Sequence, residues 1–370
     1  MTDEPGEMQS HVLERGEPQR PPLQVGVDAR KLLDDRRGIG RYTRALLRSW
    51  HARARERIEI TLLVADLLPQ LIAGKLVAEA GAALPVARRG RGGFDLIWYP
   101  WNGMLWVDDG CKIATVHDCW PFASPSDDEA IRRNEQTPFR TTAAHADRII
   151  ADSTFSANEA VRHLGFDPAK IDIVPLGVDG ATAVAPYVSK NPYVLFVGEA
   201  EIRKYLPTLL RAMALLPQPL REGFDLVVAG KGQPGKAMPP PDTPVRFEGE
   251  VSDERLAALY AGASALVFPS TYEGFGLPVL EAMSFGVPVV ASDAAGVPEA
   301  AGEAALYFPA ADAIACAAAI EQVLTNETLS RKLRESGKAR AAIMTWDRCA
   351  DATLAIFERT VRKSSVASDR

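Results

Sequence analysis

The sequence predicts an α/β protein made of two doubly wound, Rossmann-like domains that face each other across a central cleft. Three observations favour this fold class. The chain has 370 residues, which is too many for one ordinary hydrophobic core. Short apolar runs alternate with longer helical patterns, as they do in a parallel sheet flanked by helices. The alternation stops over residues 175–192, which are rich in Gly, Pro and small residues, and then resumes.

Buried strands are predicted on both sides of this interruption. Those before it are LQVGV from Leu23, IEITLLV from Ile58, DLIWY from Asp95, KIATV from Lys112, RIIA from Arg148 and IDIV from Ile171. Those after it are YVLFVG from Tyr193, FDLVVAG from Phe224, VRFEG from Val245, ALVFP from Ala265, VPVVAS from Val287 and ALYF from Ala305. Open α/β sheets bind ligands at the carboxyl ends of their strands, so functional residues are expected directly after strands.

The predicted domain boundaries follow from these patterns. Residues 1–20 are polar and are predicted to be a disordered tail, residues 21–178 form the N-terminal domain and residues 179–192 the linker. Residues 193–345 form the C-terminal domain, and residues 346–370 form a last helix, which returns to the N-terminal domain, and a tail.

Composition and charge exclude several classes of protein. A net charge of −6 argues against a protein that coats nucleic acid, so no nucleic-acid partner is expected. The first 20 residues lack the apolar core of a signal peptide, and no run of about 18 apolar residues occurs. A cytoplasmic location is therefore expected. The four cysteines have no metal-site spacing and are predicted to be free thiols.

Two phosphate-binding motifs are only apparent. GKGQPG, from Gly230 to Gly235, matches the dinucleotide fingerprint and resembles a P-loop, but the prolines that follow it forbid the helix that both motifs need. The segment is interpreted as a turn that leaves room for a nucleotide base, or as a plain connecting loop. No Asp-x-Asp pair is present to hold a metal and a diphosphate, so a metal-independent mechanism is expected.

The stretch TYEGFGLPVLEAMSFG, from Thr271 to Gly286, carries the strongest functional signal. It predicts a loop with Glu273, Gly274, Phe275 and Gly276, and then a helix that begins at Leu277 and contains Glu281. The N–H groups at the start of such a helix suit a phosphate or a sugar hydroxyl. The oxygens of Glu281 could accept hydrogen bonds from a vicinal diol such as ribose, although a capping carboxylate is the alternative interpretation.

With the E-x7-E spacing of Glu273 and Glu281, the GFGLP turn and the strand that follows, the chain resembles glycosyltransferase family 4. Members are retaining enzymes of the GT-B fold, and the resemblance extends over nearly the whole chain from about residue 23. It implies that the N-terminal domain takes the acceptor and the C-terminal domain takes a nucleotide-diphosphate sugar. Glu281 would hold the ribose, the backbone N–H groups of Gly276 and Leu277 the diphosphate, and Glu273 the transferred sugar.

Three further segments support the resemblance. LFVGEAEIRKYLPTLLRAM resembles the element that presents Arg203 and Lys204 to the donor diphosphate. The forked guanidinium of the arginine and the compact ammonium of the lysine suit two phosphates. TVHDCWPF resembles the segment that places His117 beside the transferred sugar, and Asp118 would only orient the ring; a structural histidine is the alternative interpretation. RRGIGRYTRALL resembles the loop in which Gly38 and Gly40 let the backbone approach the donor phosphate or the acceptor.

The resemblance is strongest to the mannosyltransferase-like branch, which implies hexose transfer with GDP-mannose as the leading donor and no cofactor. The acceptor would be a glycan or a lipid-linked sugar, as in polysaccharide or lipopolysaccharide biosynthesis. Arg41, Arg44 and Arg48 fall on one helical face, which is interpreted either as a peripheral contact with the inner face of the membrane or as a solvated face. A nucleotide-sugar epimerase and a non-catalytic nucleotide-sugar-binding protein are the alternative functions.

Overall fold

The computed structural model describes residues 21–35, 38–65, 69–199, 201–231 and 244–368, and of residues 364–368 only the backbone. The predicted disordered tail and most of the GKGQPG segment lie outside the described residues. In the described residues, no helix has the length and apolar character needed to cross a bilayer.

The strands form two parallel sheets, one in each half of the chain. The first sheet contains β1 (Leu23–Asp28), β2 (Ile58–Val64), β3 (Val86–Arg88), β4 (Leu96–Tyr99), β5 (Cys111–Val116), β6 (Arg148–Ala151) and β7 (Ile171–Ile173), in the order β3-β2-β1-β4-β5-β6-β7. The second contains β8 (Tyr193–Val197), β9 (Asp225–Ala229), β10 (Val245–Gly249), β11 (Ala265–Phe268), β12 (Val289–Ser292) and β13 (Ala305–Phe308), in the order β10-β9-β8-β11-β12-β13.

Helices lie between many of the strands. Those of the first half are α1 (Gly38–Arg53), α2 (Gln70–Ala80), α3 (Trp120–Ala123), α4 (Glu129–His145) and α5 (Thr154–Leu164). Those of the second half are α6 (Leu206–Leu215), α7 (Gln218–Gly223), α8 (Asp253–Gly262), α9 (Leu277–Ser284), α10 (Val297–Ala301), α11 (Ala313–Thr325), α12 (Glu327–Ile343) and α13 (Trp346–Ser368). The predicted two-sheet, doubly wound α/β fold is confirmed.

Strand order places the cleft. In the first sheet the order reverses between β1 and β4, and in the second between β8 and β11. Ligands of doubly wound sheets bind at such switch points, beyond the carboxyl ends of the strands. The segments that follow β1, β5, β8 and β11 are those in which the sequence analysis placed its candidate residues.

The last helix packs against the first one. Trp50 of α1 donates from its indole nitrogen to the carbonyl of Ala350, at 2.9 Å. The ring of Phe357 lies 5.6 Å from that of Trp50 and 5.9 Å from that of Trp98 on β4. All three aromatic side chains are buried. Residues from the end of the chain therefore complete the core beside the first sheet.

Gly40 has a structural reason to be glycine, because a Cβ there would lie 1.8 Å from the carbonyl oxygen of Asp35. We expect Gly40→Ala to destabilise the protein by about 1–3 kcal/mol, since backbone and helix must move apart. The matched control is Gly74→Ala in α2, where no atom of the described residues lies within 4 Å of a Cβ placed there. That change should stabilise by about 0.5–1 kcal/mol through helix propensity. Urea denaturation measures both, and equal effects of the two substitutions would contradict the prediction.

Candidate functional site

The two sheets meet where the segment after β11 touches the segment after β5. A Cβ on Gly274 would lie 1.7 Å from the carbonyl oxygen of His117, so the two backbones are in direct contact. The Gly274 carbonyl accepts hydrogen bonds from Ser153 Oγ at 2.5 Å and Ser156 Oγ at 3.2 Å. Ser153 also caps α5. The loop that carries Glu273 is thus held against the N-terminal half.

Three of the predicted donor-site residues come together beside this contact. Lys204 lies at the end of a short 3-10 helix after β8, and its ammonium is 2.6 Å from Glu273 Oε1. A guanidinium nitrogen of Arg203 lies 3.6 Å from Glu273 Oε2. Lys204 also sits over the ring of Phe268, 5.2 Å from its centroid. Because the Glu273 side chain is only 10% exposed, these charges interact with little screening by water.

Arg203 has carboxylates on several sides. Glu201 Oε2 accepts from its Nε at 2.6 Å, and Asp118 Oδ2 of the N-terminal half lies 3.7 Å away. Burial lowers the pKa of Arg203, but the charges of Glu273, Asp118 and Glu201 outweigh that effect and raise the pKa above its usual value. The guanidinium therefore stays charged and can be offered to an anionic ligand.

Glu281 lies in the second turn of α9 and is nearly buried. Tyr260 of α8 donates to its Oε2 at 2.8 Å, and Arg41 of α1 donates to its Oε1. The same Arg41 reaches Asp253 Oδ1 at 3.0 Å. Burial raises the pKa of Tyr260, so the phenol stays protonated and can donate. Glu281 does not cap the helix, which excludes the alternative interpretation of this carboxylate.

The predicted diphosphate-binding turn is well formed. Phe275 is buried in the core, Gly276 has a φ of 116°, and Leu277 begins α9. No side chain caps this helix. Pro278 has no N–H group and the Val279 N–H donates to the Gly276 carbonyl at 3.0 Å, so the N–H groups of Gly276 and Leu277 are the ones suited to an anion.

His117 lies at the end of β5 but is held by its own half of the chain. Its Nδ1 is 2.6 Å from Asp152 Oδ2, and its Nε2 is 2.9 Å from the Pro100 carbonyl oxygen. The carboxylate on the ring is thus Asp152, which follows β6, and the prediction that Asp118 orients the ring is wrong. Both ring nitrogens are engaged, so the predicted contact between His117 and a sugar stays a prediction that requires one of these bonds to open.

The protonation of His117 depends on Asp152. Burial lowers the pKa of His117, but the charge and hydrogen bond of Asp152 outweigh it, and the pKa lies above its ordinary value. A carbonyl oxygen can only accept, so Nε2 carries a proton, and Nδ1 carries one when it donates to the carboxylate. Burial also raises the pKa of Asp152, against the effect of the His117 charge. Below the raised pKa of His117 the charged form is an imidazolium beside a carboxylate, and the stability of that ion pair is lost as pH rises through this pKa.

We expect Asp152→Asn to lower the pKa of His117, because burial remains and the balancing charge is gone. The stability lost by the wild type as pH rises above about 6.5 should also diminish in the variant. NMR titration of the imidazole and urea denaturation at several pH values measure the two effects. The control is Asp118→Asn, since the Asp118 charge raises the same pKa less. An unchanged His117 pKa in Asp152→Asn would disprove the assignment.

The two glycines predicted to approach a ligand have different surroundings. A Cβ on Gly38, the first residue of α1, would lie 3.6 Å from a methyl group of Leu277 across the cleft. Gly38 is thus placed beside the start of α9. Gly40 instead packs on the Asp35 carbonyl, which is a structural reason for glycine that the sequence could not show.

Arg41, Arg44 and Arg48 share one face of α1 but do not form one solvent-exposed surface. Arg44 donates to the carbonyls of Leu32 at 3.1 Å and Asp35 at 2.8 Å. Arg41 donates a hydrogen bond to Glu281 across the cleft. Of the three arginines, only Arg48 is exposed. Two of the three cations are therefore used within the protein, and the structure gives no support to the predicted membrane contact.

Sequence reasoning missed several residues at this interface. Asp152 could have been found, because it directly follows a predicted strand. Glu299 of α10 could not: its carboxylate accepts from the backbone N–H groups of Thr154 at 2.7 Å and Phe155 at 2.8 Å, at the start of α5. This bond caps a helix of one half with an acid from the other, and a partner 145 residues away leaves no local signal.

Comparison with known families gives two matches that divide the chain between them. The model described as Glycosyltransferase Family 4 matches residues 36–181, and the model described as Glycosyl transferases group 1 matches residues 183–340.

Individual relatives agree with these matches. The chain is 30% identical over 271 residues to O-antigen chain mannosyltransferase B of Escherichia coli, covering 66% of this chain and 70% of that protein. It is 28% identical over 240 residues to serotype-specific mannosyltransferase WbdA of Escherichia coli, covering 59% of this chain and 29% of that protein. The solved structure of sucrose-phosphate synthase from Thermosynechococcus elongatus superposes with a TM-score of 0.68 at 22% identity, covering 93% of this chain and 100% of that one.

Proposed function

Since the chain belongs to glycosyltransferase family 4 and is a glycosyltransferase of the GT-B fold, we propose that it transfers mannose from a nucleotide-diphosphate sugar to a glycan or lipid-linked acceptor. GDP-mannose is the proposed donor, and the anomeric configuration is proposed to be retained. The reaction would serve polysaccharide or lipopolysaccharide biosynthesis. Mannose is favoured because both Escherichia coli relatives are named as mannosyltransferases.

One observation carries the proposal: Arg203 and Lys204 converge on Glu273 at the point where the two halves meet. Two cations beside a nearly buried carboxylate suit a sugar that is linked to a diphosphate. The phosphates would take over Lys204 and Arg203, and the sugar hydroxyls would bond to Glu273.

The neighbouring groups extend this arrangement along the donor. The first N–H groups of α9, at Gly276 and Leu277, would complete the diphosphate site. Glu281 would accept two hydrogen bonds from the ribose hydroxyls. Cations and helix N–H groups together would supply the charge that a metal supplies elsewhere, so we propose a metal-independent mechanism.

The chemical step would use this preorganised charge. As the bond between the sugar and the phosphate breaks, Lys204 and Arg203 stabilise the negative charge on the leaving diphosphate. The acceptor hydroxyl would attack the anomeric carbon from the same face and pass its proton to a leaving phosphate oxygen. The Gly274 loop and the His117 backbone are in contact, and closure of the two halves there would keep water, which otherwise hydrolyses the donor, away from the reacting atoms.

A thermal-shift panel with GDP-mannose, GDP-glucose, UDP-glucose and UDP-N-acetylglucosamine tests the donor. A ligand that binds only the folded state raises the unfolding temperature, and GDP-mannose should give the largest rise. The rise should persist in EDTA if no metal takes part. Transfer is then checked by mass spectrometry of mannose-terminated oligosaccharides incubated with the best donor. A larger shift with a UDP-sugar would refute the proposed donor, and binding without any transferred or hydrolysed sugar would refute the proposed reaction.

A further inference from the structure

We infer that Arg41 is an interdomain latch, which occupies the ribose-binding carboxylate until the donor displaces it. The inference rests on the proposed function, because it takes Glu281 as the acceptor for the ribose hydroxyls. It concerns the regulation of that site by a residue of the opposite half of the chain.

Both carboxylate oxygens of Glu281 already accept a hydrogen bond from another side chain. Tyr260 donates to Oε2 and Arg41 donates to Oε1. A carboxylate oxygen can accept more than one hydrogen bond, but the Glu281 side chain is only 12% exposed, so a ribose diol that reaches both oxygens must displace a donor that covers them. Tyr260 is fully enclosed and comes from the same half as Glu281, whereas the Arg41 side chain is 26% exposed and comes from α1. Arg41 is the donor that can leave.

A cavity of about 490 Å³ gives Arg41 somewhere to go. It lies between the halves, beside Glu281, and its lining includes Arg41, Asp253, Glu79 and Asp179. Asp253 already accepts from the second guanidinium nitrogen of Arg41 at 3.0 Å. The guanidinium can thus give up Glu281, keep Asp253 and stay beside other acids, which keeps the cost of displacement small.

The latch lowers the apparent affinity for the donor. A ligand that binds only the unlatched state binds more weakly in proportion to the unlatched fraction. An ion pair of this exposure favours the latched state by about two- to fivefold. We therefore expect Arg41→Ala to lower the Kd for GDP or UDP by about three- to sixfold.

Isothermal titration with GDP, UDP and inorganic pyrophosphate distinguishes this role from others. Pyrophosphate would occupy the Arg203 and Lys204 region without reaching Glu281, so its Kd should be the same in the wild type and in Arg41→Ala. The matched control is Arg48→Ala, which removes a cation from the lining of the same cavity but leaves Glu281 and its partners unchanged. Arg41→Gln is the second variant if the alanine variant folds poorly.

Each result has one meaning. Tighter nucleotide binding in Arg41→Ala and Arg41→Gln, with pyrophosphate and Arg48→Ala unchanged, supports the latch. Equal nucleotide binding in all proteins overturns the latch and leaves the proposed function standing. Weaker nucleotide binding in the Arg41 variants also overturns it and makes Arg41 a donor-binding residue. Failure of GDP and UDP to bind any of the proteins, wild type included, removes the proposed function and the latch with it.

Discussion

Lys204→Met is expected to lower kcat/KM for the donor by about 10²- to 10³-fold, the usual cost of removing one donor from a preorganised anion site. Methionine keeps a long apolar side chain over Phe268 but loses the ammonium that lies 2.6 Å from Glu273. The loss should appear in both binding and turnover, because a diphosphate carries charge before the reaction and gains more as it leaves. Steady-state kinetics with GDP-mannose measure the effect.

The control for this prediction is Lys112→Met. Lys112 lies at the amino end of β5, away from the cleft, which lies beyond the carboxyl ends of the strands. Its ammonium is 3.9 Å from Asp147. Its replacement should change kcat/KM by less than about twofold, as expected of a surface ion pair. A double-mutant cycle with Glu273→Gln adds a sharper test. Residues in contact should couple by about 1–3 kcal/mol, so strictly additive losses would show that Lys204 and Glu273 act separately.

Gly274→Ala is expected to reduce kcat by about 100-fold while nucleotide binding stays within a few-fold of the wild type. Its Cβ would lie 1.7 Å from the His117 carbonyl oxygen, so the two halves must move apart at the point where they touch. A displacement of about 1 Å between reacting groups costs roughly 10²-fold in rate. The nucleotide contacts proposed for the C-terminal half remain, because Arg203, Lys204 and Glu281 are untouched.

Turnover measurements and titration with GDP separate these two effects. Gly180→Ala is the matched control. No atom of the described residues lies within 4 Å of a Cβ placed there, so this substitution should leave kcat unchanged. If Gly274→Ala retained full turnover, the closed contact described above would not be required for catalysis.

Much of the fold was predictable because buried parallel strands leave a strong local signal. The runs that begin at Ile58, Arg148, Val245 and Ala305 were predicted with the bounds that the structure shows. The missed strand was β3, at the edge of the first sheet, where three residues end in the exposed Arg88. An edge strand this short has neither the length nor the apolar character on which the prediction relied.

The residues of the site were predictable only where they directly follow a strand in the sequence. Glu273, Arg203 and Lys204 follow strands of one sheet, so their convergence followed from topology and from the family resemblance. The partner of His117 lies 35 residues away, and that of Glu281 lies 240 residues away. The pattern of α1 showed that Arg41 and Arg44 share a helical face, but a single helix cannot show what that face packs against. The interpretation of Arg41 and Arg44 as part of an outer charged face was therefore wrong.

The packing of the final helix on the first one has a consequence for synthesis on the ribosome. Trp50 and Trp98 emerge long before Phe357, whose ring packs on both. The first half of the fold therefore keeps uncovered indole surface until α13 has been synthesised. Nascent chains stalled shortly before Trp346 should accordingly be prone to aggregate and good clients for chaperones, and a fragment that ends with the first sheet should be insoluble unless the last helix is supplied in trans.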